Sequence, residues 1–223
     1  MLERRGRVTL LKHKQRILVF CHDQWHPAAD VQRGLAALFG SEAEFQYVLD
    51  GRNWAPEQLQ HFSRVVVAKA NYVDATDRSP WLTPDTQGAF REFVRRGGGL
   101  LLVHGGTCYK DLPEMRGVTG GAFLRHPDPC PVTIQPTREN PLTTGVFPFL
   151  IQDEHYVMAL DAADAEVFLE ARSEHGVQPA GWTRHEGDGR VCVLTPGHNL
   201  AVWLHPEFQK LLRNGLHWLT TGN

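Results

Sequence analysis

Cysteine is scarce. The four residues, Cys21, Cys108, Cys130 and Cys192, stand far apart with no C-x-x-C pair among them. That spacing argues against a disulfide-stapled scaffold and a structural zinc knot, both of which need clustered thiols. A reducing, cytoplasmic setting is the expectation. Net charge is also small, −2 over 223 residues, so the chain lacks the basic footprint of a nucleic-acid binder. No apolar run approaches the roughly 18 residues of a membrane span, and no membrane partner is expected. No serine stands in a G-x-S-x-G elbow, which disfavours serine-hydrolase chemistry. Gly97-Gly98-Gly99 precedes an apolar run rather than following one, so it is no phosphate loop and no nucleotide cofactor is expected.

What is present suits one well-buried domain, with 42% apolar residues and no internal repeat. Residues 1–15, with Arg4, Arg5, Arg7, Lys12 and Lys14, read as a solvated basic leader, because Val8 to Leu11 is too short for the core of a signal peptide. A single domain is expected over residues 16–223.

Arg16 to His22 is an apolar β run, Pro27 to Phe39 has helical spacing of Val31, Leu35 and Leu38 ended by Gly40, and Ala43 to Leu49 alternates as a second strand. Pro56 to Phe62 reads as a short helix and Ser63 to Ala70 as a third strand. Thr83 and Pro84 open a helix that runs to Arg96. Leu100 to Val103 then follows without polar alternation, as a strand covered on both faces does. This β-α-β-α-β-α-β order predicts an α/β fold with a parallel sheet and right-handed crossovers. Asp111 to Gly121 and the proline-dense His126 to Pro131 are expected as surface loops. Strands are predicted at Val132–Gln135, Phe149–Leu160, Glu166–Arg172, Ala180–Arg184 and Arg190–Thr195, with a hairpin turn at Glu186-Gly187-Asp188-Gly189. A final helix spans Pro206 to Leu219.

Histidine is abundant, with twelve residues. His22, His104 and His198 each follow an apolar strand directly, where open α/β sheets bind ligands. His26 in the first loop and Asp153-Glu154 in I-Q-D-E-H-Y join them as candidates. Imidazoles plus a carboxylate suit zinc or another divalent metal, with His26, His104, Glu154 and His198 as ligands. The same His104, Glu154 and His198 would serve without metal as general acid and base. Neighbouring strand carboxylates point to opposite faces, so Glu154 is preferred as ligand or base and Asp153 is placed on the substrate side. Gly105 and Gly106 would aim backbone N–H groups at an anion. Trp25 and Tyr109, with Trp81 and Trp203, would offer aromatic faces to a sugar. Cys108 beside His104 is a weaker candidate for thiol chemistry, since it lies past the turn rather than at its apex.

The stretches G-G-G-L-L-L-V-H-G-G-T (97–107), I-Q-D-E-H-Y (151–156) and the run from Gly187 to Trp218 with G-H…W…P-x-F…L-L…G-x-x-W together resemble the trehalose-utilisation, or ThuA-like, family of the class I glutamine amidotransferase-like fold. The resemblance implies a flavodoxin-like three-layer sandwich with a mostly parallel central sheet and an added β-rich second half. It also implies carbohydrate catabolism through keto-sugar intermediates. By position, His104 is similar to the family histidine at the strand-to-turn junction, Asp153-Glu154 to its D-E pair, Gly197-His198 to its late G-H, and His26 to its first-loop histidine. Amidotransferases carry a nucleophilic cysteine where His104 stands, so no glutaminase activity is expected. Pro27 and His155 depart from the family pattern. The expected function is an enzyme acting on a small-molecule carbohydrate, by metal-assisted or His/Glu acid–base chemistry. The alternative is a non-catalytic sugar-binding or regulatory module, and association into a homo-oligomer stays open.

Overall fold

The computed structural model describes residues 15–39 and 43–220. The expected leader, apart from Gln15, and the expected helix stop at Gly40 lie outside the described residues.

The first half follows the predicted alternation: β1 (Gln15–Phe20), α1 (Ala28–Phe39), β2 (Ala43–Val48), a 3-10 turn at Pro56–His61, β3 (Arg64–Val67), α2 (Pro84–Arg95) and β4 (Gly99–Val103). The Thr83 side chain accepts from Thr86 N at 3.3 Å and so caps α2, with Pro84 in the first turn. Its far end closes through Gly97 at φ 99°, with Gly97 N bonded to Val94 O and Gly98 N to Phe93 O. All of Leu100 to Val103 is buried, as the unbroken apolar run requires.

The second half holds more structure than expected: α3 (Pro113–Thr119), β5 (Gly121–Arg125), β6 (Cys130–Pro136), β7 (Phe149–Asp153), β8 (Val157–Leu160), β9 (Glu166–Ser173), β10 (Gly176–Glu186), β11 (Gly189–Leu194), α4 (Leu200–Trp203) and α5 (Pro206–Trp218). Three expectations are corrected. Asp111 to Gly121 is mostly helix, because Pro113 starts α3 and Met115, Val118 and Thr119 bury against the core. Phe149 to Leu160 is two strands in different sheets, broken at Glu154–Tyr156. Pro131 lies within β6, where it pairs only with β7. The β9 partner begins at Thr133, so the missing N–H breaks no ladder on that side.

Nine strands form one sheet in the order β2-β1-β3-β4-β11-β10-β9-β6-β7, and β5 pairs with β8 apart from it. The five strands from β2 to β11 are parallel and the remaining junctions are antiparallel, so the sheet is mixed rather than mostly parallel. One face of the parallel part, through Ile17, Val19, Val66 and Leu101, packs on α1, α4 and α5. The other, through Leu18, Phe20, Val67 and Leu102, packs on α2 and α3. The chain is thus a mixed α/β protein with helices on both faces of a large sheet. Strands alternate in direction from β11 onward, so β7 points the same way as β1, β4 and β11. Four flat spacings of ~4.8 Å would leave β7 roughly 19 Å from β11. Instead Asp153 at the end of β7 bonds Gly197 N at 2.9 Å, just past β11. The antiparallel half therefore curls over the strand ends, helped by register shifts in β10 around Gly181.

Candidate functional site

Because those four strands run in one direction, the loops after β1, β4, β7 and β11 meet at a single edge and deliver His26, His104, Glu154 and His198. One ligand atom from each lies within 4.8 Å of all the others. Among the described residues this is the one group of histidine, cysteine and carboxylate side chains arranged to hold a metal ion.

Two of the three imidazoles, His26 and His104, are oriented from behind. Asp23 is 1% exposed and accepts from the backbone N–H groups of Trp25, His26 and Ala70. Its Oδ2 lies 2.8 Å from His26 Nδ1. Burial alone would raise the Asp23 carboxyl, yet the His26 contact and the backbone donors outweigh it and hold the group below its usual range. An ionised Asp23 puts the proton on His26 Nδ1 and leaves Nε2 as a bare lone pair, which is buried without a hydrogen-bond partner.

His104 sits at φ 47°, in the left-handed region that a non-glycine residue adopts under constraint. Its Nδ1 is 2.8 Å from Thr195 O, which can only accept, so Nδ1 carries the proton. Its Nε2 accepts from the Tyr156 hydroxyl at 2.9 Å, and Glu154 Oε2 lies 3.2 Å away. Burial pushes the His104 pKa down to about 4, against the Glu154 and Thr195 contacts that would raise it. The ring is therefore neutral at neutral pH. His198 Nδ1 lies 3.4 Å from Glu154 Oε2 and makes no hydrogen bond. Burial also raises the Glu154 carboxyl, but the three imidazoles around it, His104 first, more than reverse this and keep it ionised.

Two members of the cluster, His26 and Glu154, line an open cleft of about 540 Å³ together with Trp25, Tyr72, Arg78, Lys110, His126 and Tyr156, while His104 and His198 lie behind them. The other predicted positions behave differently. His22 follows β1 but stays outside the cluster, its Nδ1 3.4 Å from Ala28 N. Asp153 is 1% exposed, and its carboxylate is occupied by the N–H groups of Glu154, Gly197 and His198, so it shapes the β7–β11 junction rather than facing substrate. Tyr109 lines the cleft but is almost wholly buried, its hydroxyl donating to Lys69 O. Trp81 stacks on Phe20 and Trp203 packs on Phe208, both in the core. Trp25, 47% exposed, keeps a free face.

Gly105 and Gly106 are buried in the turn after β4, and space explains both. A Cβ on Gly105 would stand 2.8 Å from His26 Nδ1, and one on Gly106 would stand 2.0 Å from Val67 O. Burial pushes the Cys108 thiol up to about 12, which removes its nucleophilic form.

Three residues of the site were not singled out from sequence. Asp23 is hidden in the first loop, Tyr156 lies within the quoted I-Q-D-E-H-Y stretch, and His126, whose Nε2 is 3.5 Å from Glu154 Oε1, lies in a segment whose prolines mark it as a loop. Only Tyr156 carried a signal, its place beside Glu154.

The same architecture occurs in known structures. A ThuA-like protein from Bacteroides uniformis superposes with a TM-score of 0.74 at 18% identity, covering 98% of this chain and 97% of that one. A protein of Salmonella typhimurium described as cytoplasmic gives 0.69 at 14%, covering 92% and 99%. The cold-adapted β-galactosidase of Rahnella sp. R3 gives 0.68 at 12%, covering 92% of this chain and 31% of the enzyme. At these identities the likeness is one of fold. Among curated proteins none matches the sequence. The model of the trehalose-utilisation family matches residues 11–219, which takes in the strand ends that carry all four clustered side chains, and the chain belongs to that family.

Proposed function

We propose that the protein is an enzyme acting on a sugar or keto-sugar derivative, and that it does so by proton transfer at the His26, His104, Glu154 and His198 centre. The observation that carries this reading is the convergence of three imidazoles and one carboxylate at one sheet edge, where His26 and Glu154 open onto the cleft and His26 Nε2 and His198 Nδ1 are buried and unpartnered. Membership of the trehalose-utilisation family supplies the carbohydrate class. The scaffold is read as a flavodoxin-like three-layer sandwich, its parallel half ordered β2-β1-β3-β4-β11. Four unpaired thiols suit a cytoplasmic location.

The donor set fits a divalent ion of the zinc type. His26 Nε2 and His198 Nδ1 are unpartnered, His104 Nε2 carries a lone pair that would have to be released by the Tyr156 hydroxyl, and Glu154 adds a carboxylate oxygen. Asp23 and the Thr195 carbonyl fix the tautomers of the His26 and His104 rings as such sites require. Those four residues would hold the ion, which when bound would act as a Lewis acid toward a sugar carbonyl or hydroxyl. Glu154, ionised and half-buried, takes a proton from the sugar on its Oε1 side, which faces His126 and the cleft. Asp23 keeps the His26 ring in place, and Tyr156 holds an O–H donor at His104. That last bond supports a second reading, in which the centre works without metal through the Tyr156, His104 and Glu154 contacts.

Elemental analysis of the purified protein, with turnover measured on a panel of oxidised and unoxidised disaccharides, tests both readings. The expected result is close to one divalent ion per chain and turnover that falls by about 10²–10⁴ in Glu154→Gln. Binding without turnover would leave a sugar-binding module. Absence of metal, with melting indifferent to chelator, would remove the ion and leave the acid–base reading.

A further inference from the structure

Two cations border the cleft without a carboxylate partner. Arg78, in the loop after β3, lies over the Trp25 ring with its guanidinium carbon 6.0 Å from the centroid, and Trp25 is itself held edge-on by Tyr72 at 5.2 Å. Lys110, in the loop after β4, lines the same cleft. Among the described residues no carboxylate oxygen lies within 4.0 Å of either charged group. Several other arginines are paired. Arg52 engages Asp50, Asp74 and Asp77, although Asp77 is the residue next to Arg78. Arg91, Arg116 and Arg184 likewise pair with acids. Of the acids lining the cleft, Glu154 is already surrounded by His104, His126 and His198, and Asp111 alone offsets the two cations.

We infer that the cleft takes an anionic sugar derivative, one bearing a carboxylate or a phosphate, with its ring against Trp25 and its anionic group between Arg78 and Lys110. The inference rests on the carbohydrate reading above and narrows its substrate class. A guanidinium laid on an aromatic face keeps its N–H edge free, and that planar edge matches the paired oxygens of a carboxylate or phosphate. Lys110 adds a second positive charge to the cleft lining. Trp25 offers the apolar face that a sugar's C–H groups need, and it is large, exposed and held by its neighbours rather than by the core. Ring and anion thus sit at the rim, and the remainder of the sugar reaches His26 and Glu154 on the floor.

Isothermal titration of the full-length protein with glucose, gluconate, glucuronate, glucose 6-phosphate and inorganic phosphate tests this. At least one anionic sugar is expected to bind about tenfold or more tightly than glucose, the worth of one charge-assisted hydrogen bond. That preference should shrink with added salt and disappear in the double variant Arg78→Gln, Lys110→Gln. Preference for gluconate or glucuronate assigns a sugar acid, and preference for glucose 6-phosphate assigns a sugar phosphate. Glucose bound as tightly as every anionic sugar would overturn the inference and leave the carbohydrate reading standing. So would inorganic phosphate alone matching the best ligand, or a double variant that keeps the preference. Should none of the sugars bind, the carbohydrate reading itself falls and takes this one with it.

Discussion

Asp23 Oδ2 lies 2.8 Å from His26 Nδ1, three residues along the same loop, while its two oxygens also accept the backbone N–H groups of Trp25, His26 and Ala70. One buried carboxylate therefore folds the first loop, ties it to the end of β3 and fixes which nitrogen of His26 faces the cleft. Asp23→Asn keeps the shape but replaces one acceptor oxygen by an N–H₂ donor. Divalent-ion affinity, read by competition with a chromophoric chelator, is expected to fall about 10–100-fold. Unchanged affinity would remove His26 from the ligand set.

The two turn glycines separate folding from site assembly. In Gly106→Ala the new Cβ meets a backbone oxygen, Val67 O at 2.0 Å, which cannot swing aside. A loss of about 3 kcal/mol in denaturant unfolding, or failure to fold, is expected. In Gly105→Ala the obstacle is the His26 ring, so the chain should fold and lose ion affinity instead. Wild-type affinity in a folded Gly105→Ala protein would contradict the packing argument.

His104 and Asp153 give opposite pH signatures in the chelated protein. Burial lowers His104 from 6.5 to about 4, so the unfolded chain binds more protons between those values and His104 makes stability rise with pH there. Burial raises Asp153 from 3.8 to about 7 against its three N–H donors, so the folded chain binds more protons and Asp153 makes stability fall as pH rises through that window. Each contribution is at most about 3–4 kcal/mol. Relative to wild type, His104→Asn should therefore gain melting temperature toward pH 4, and Asp153→Asn should gain it toward pH 7. Parallel profiles for the two variants would refute the assignment.

Cys108 lies near the cluster, with its sulfur 3.9 Å from Tyr156 Oη, yet burial raises its pKa and that of Cys21 to about 12. Iodoacetamide at pH 7.5 should label neither in the native protein, since the thiolate is the reactive form. Rapid alkylation of Cys108, mapped by peptide mass spectrometry, would reopen thiol chemistry at this site.

The alternation of the first half was legible because each signal is local. Thr83-Pro84 caps α2, glycines end it, and Leu100 to Val103 leaves no polar face for solvent. The histidines at the ends of β4 and β11 were legible for the same reason, since strand direction fixes the edge to which they point. The break at Glu154–Tyr156 was not. Apolar strand-like residues flank it on both sides, Phe149 to Ile151 and Tyr156 to Leu160, and only the separation of β7 and β8 into different sheets shows that the polar stretch between them turns Glu154 in toward the cluster.

The sequence by itself determined an α/β chain of the trehalose-utilisation family, with titratable side chains placed at strand ends and no thiol at the turn apex. Tertiary structure alone decided which of those side chains meet. Curling of the antiparallel half brings Asp153 onto Gly197 N and so sets Glu154 beside His104 and His198. It also decided that Trp81 and Trp203 serve the core while Trp25 faces the cleft. Hydrophobic periodicity records what each element buries, but the curl of a sheet and the meeting of distant loops depend on long-range pairing that no local pattern encodes.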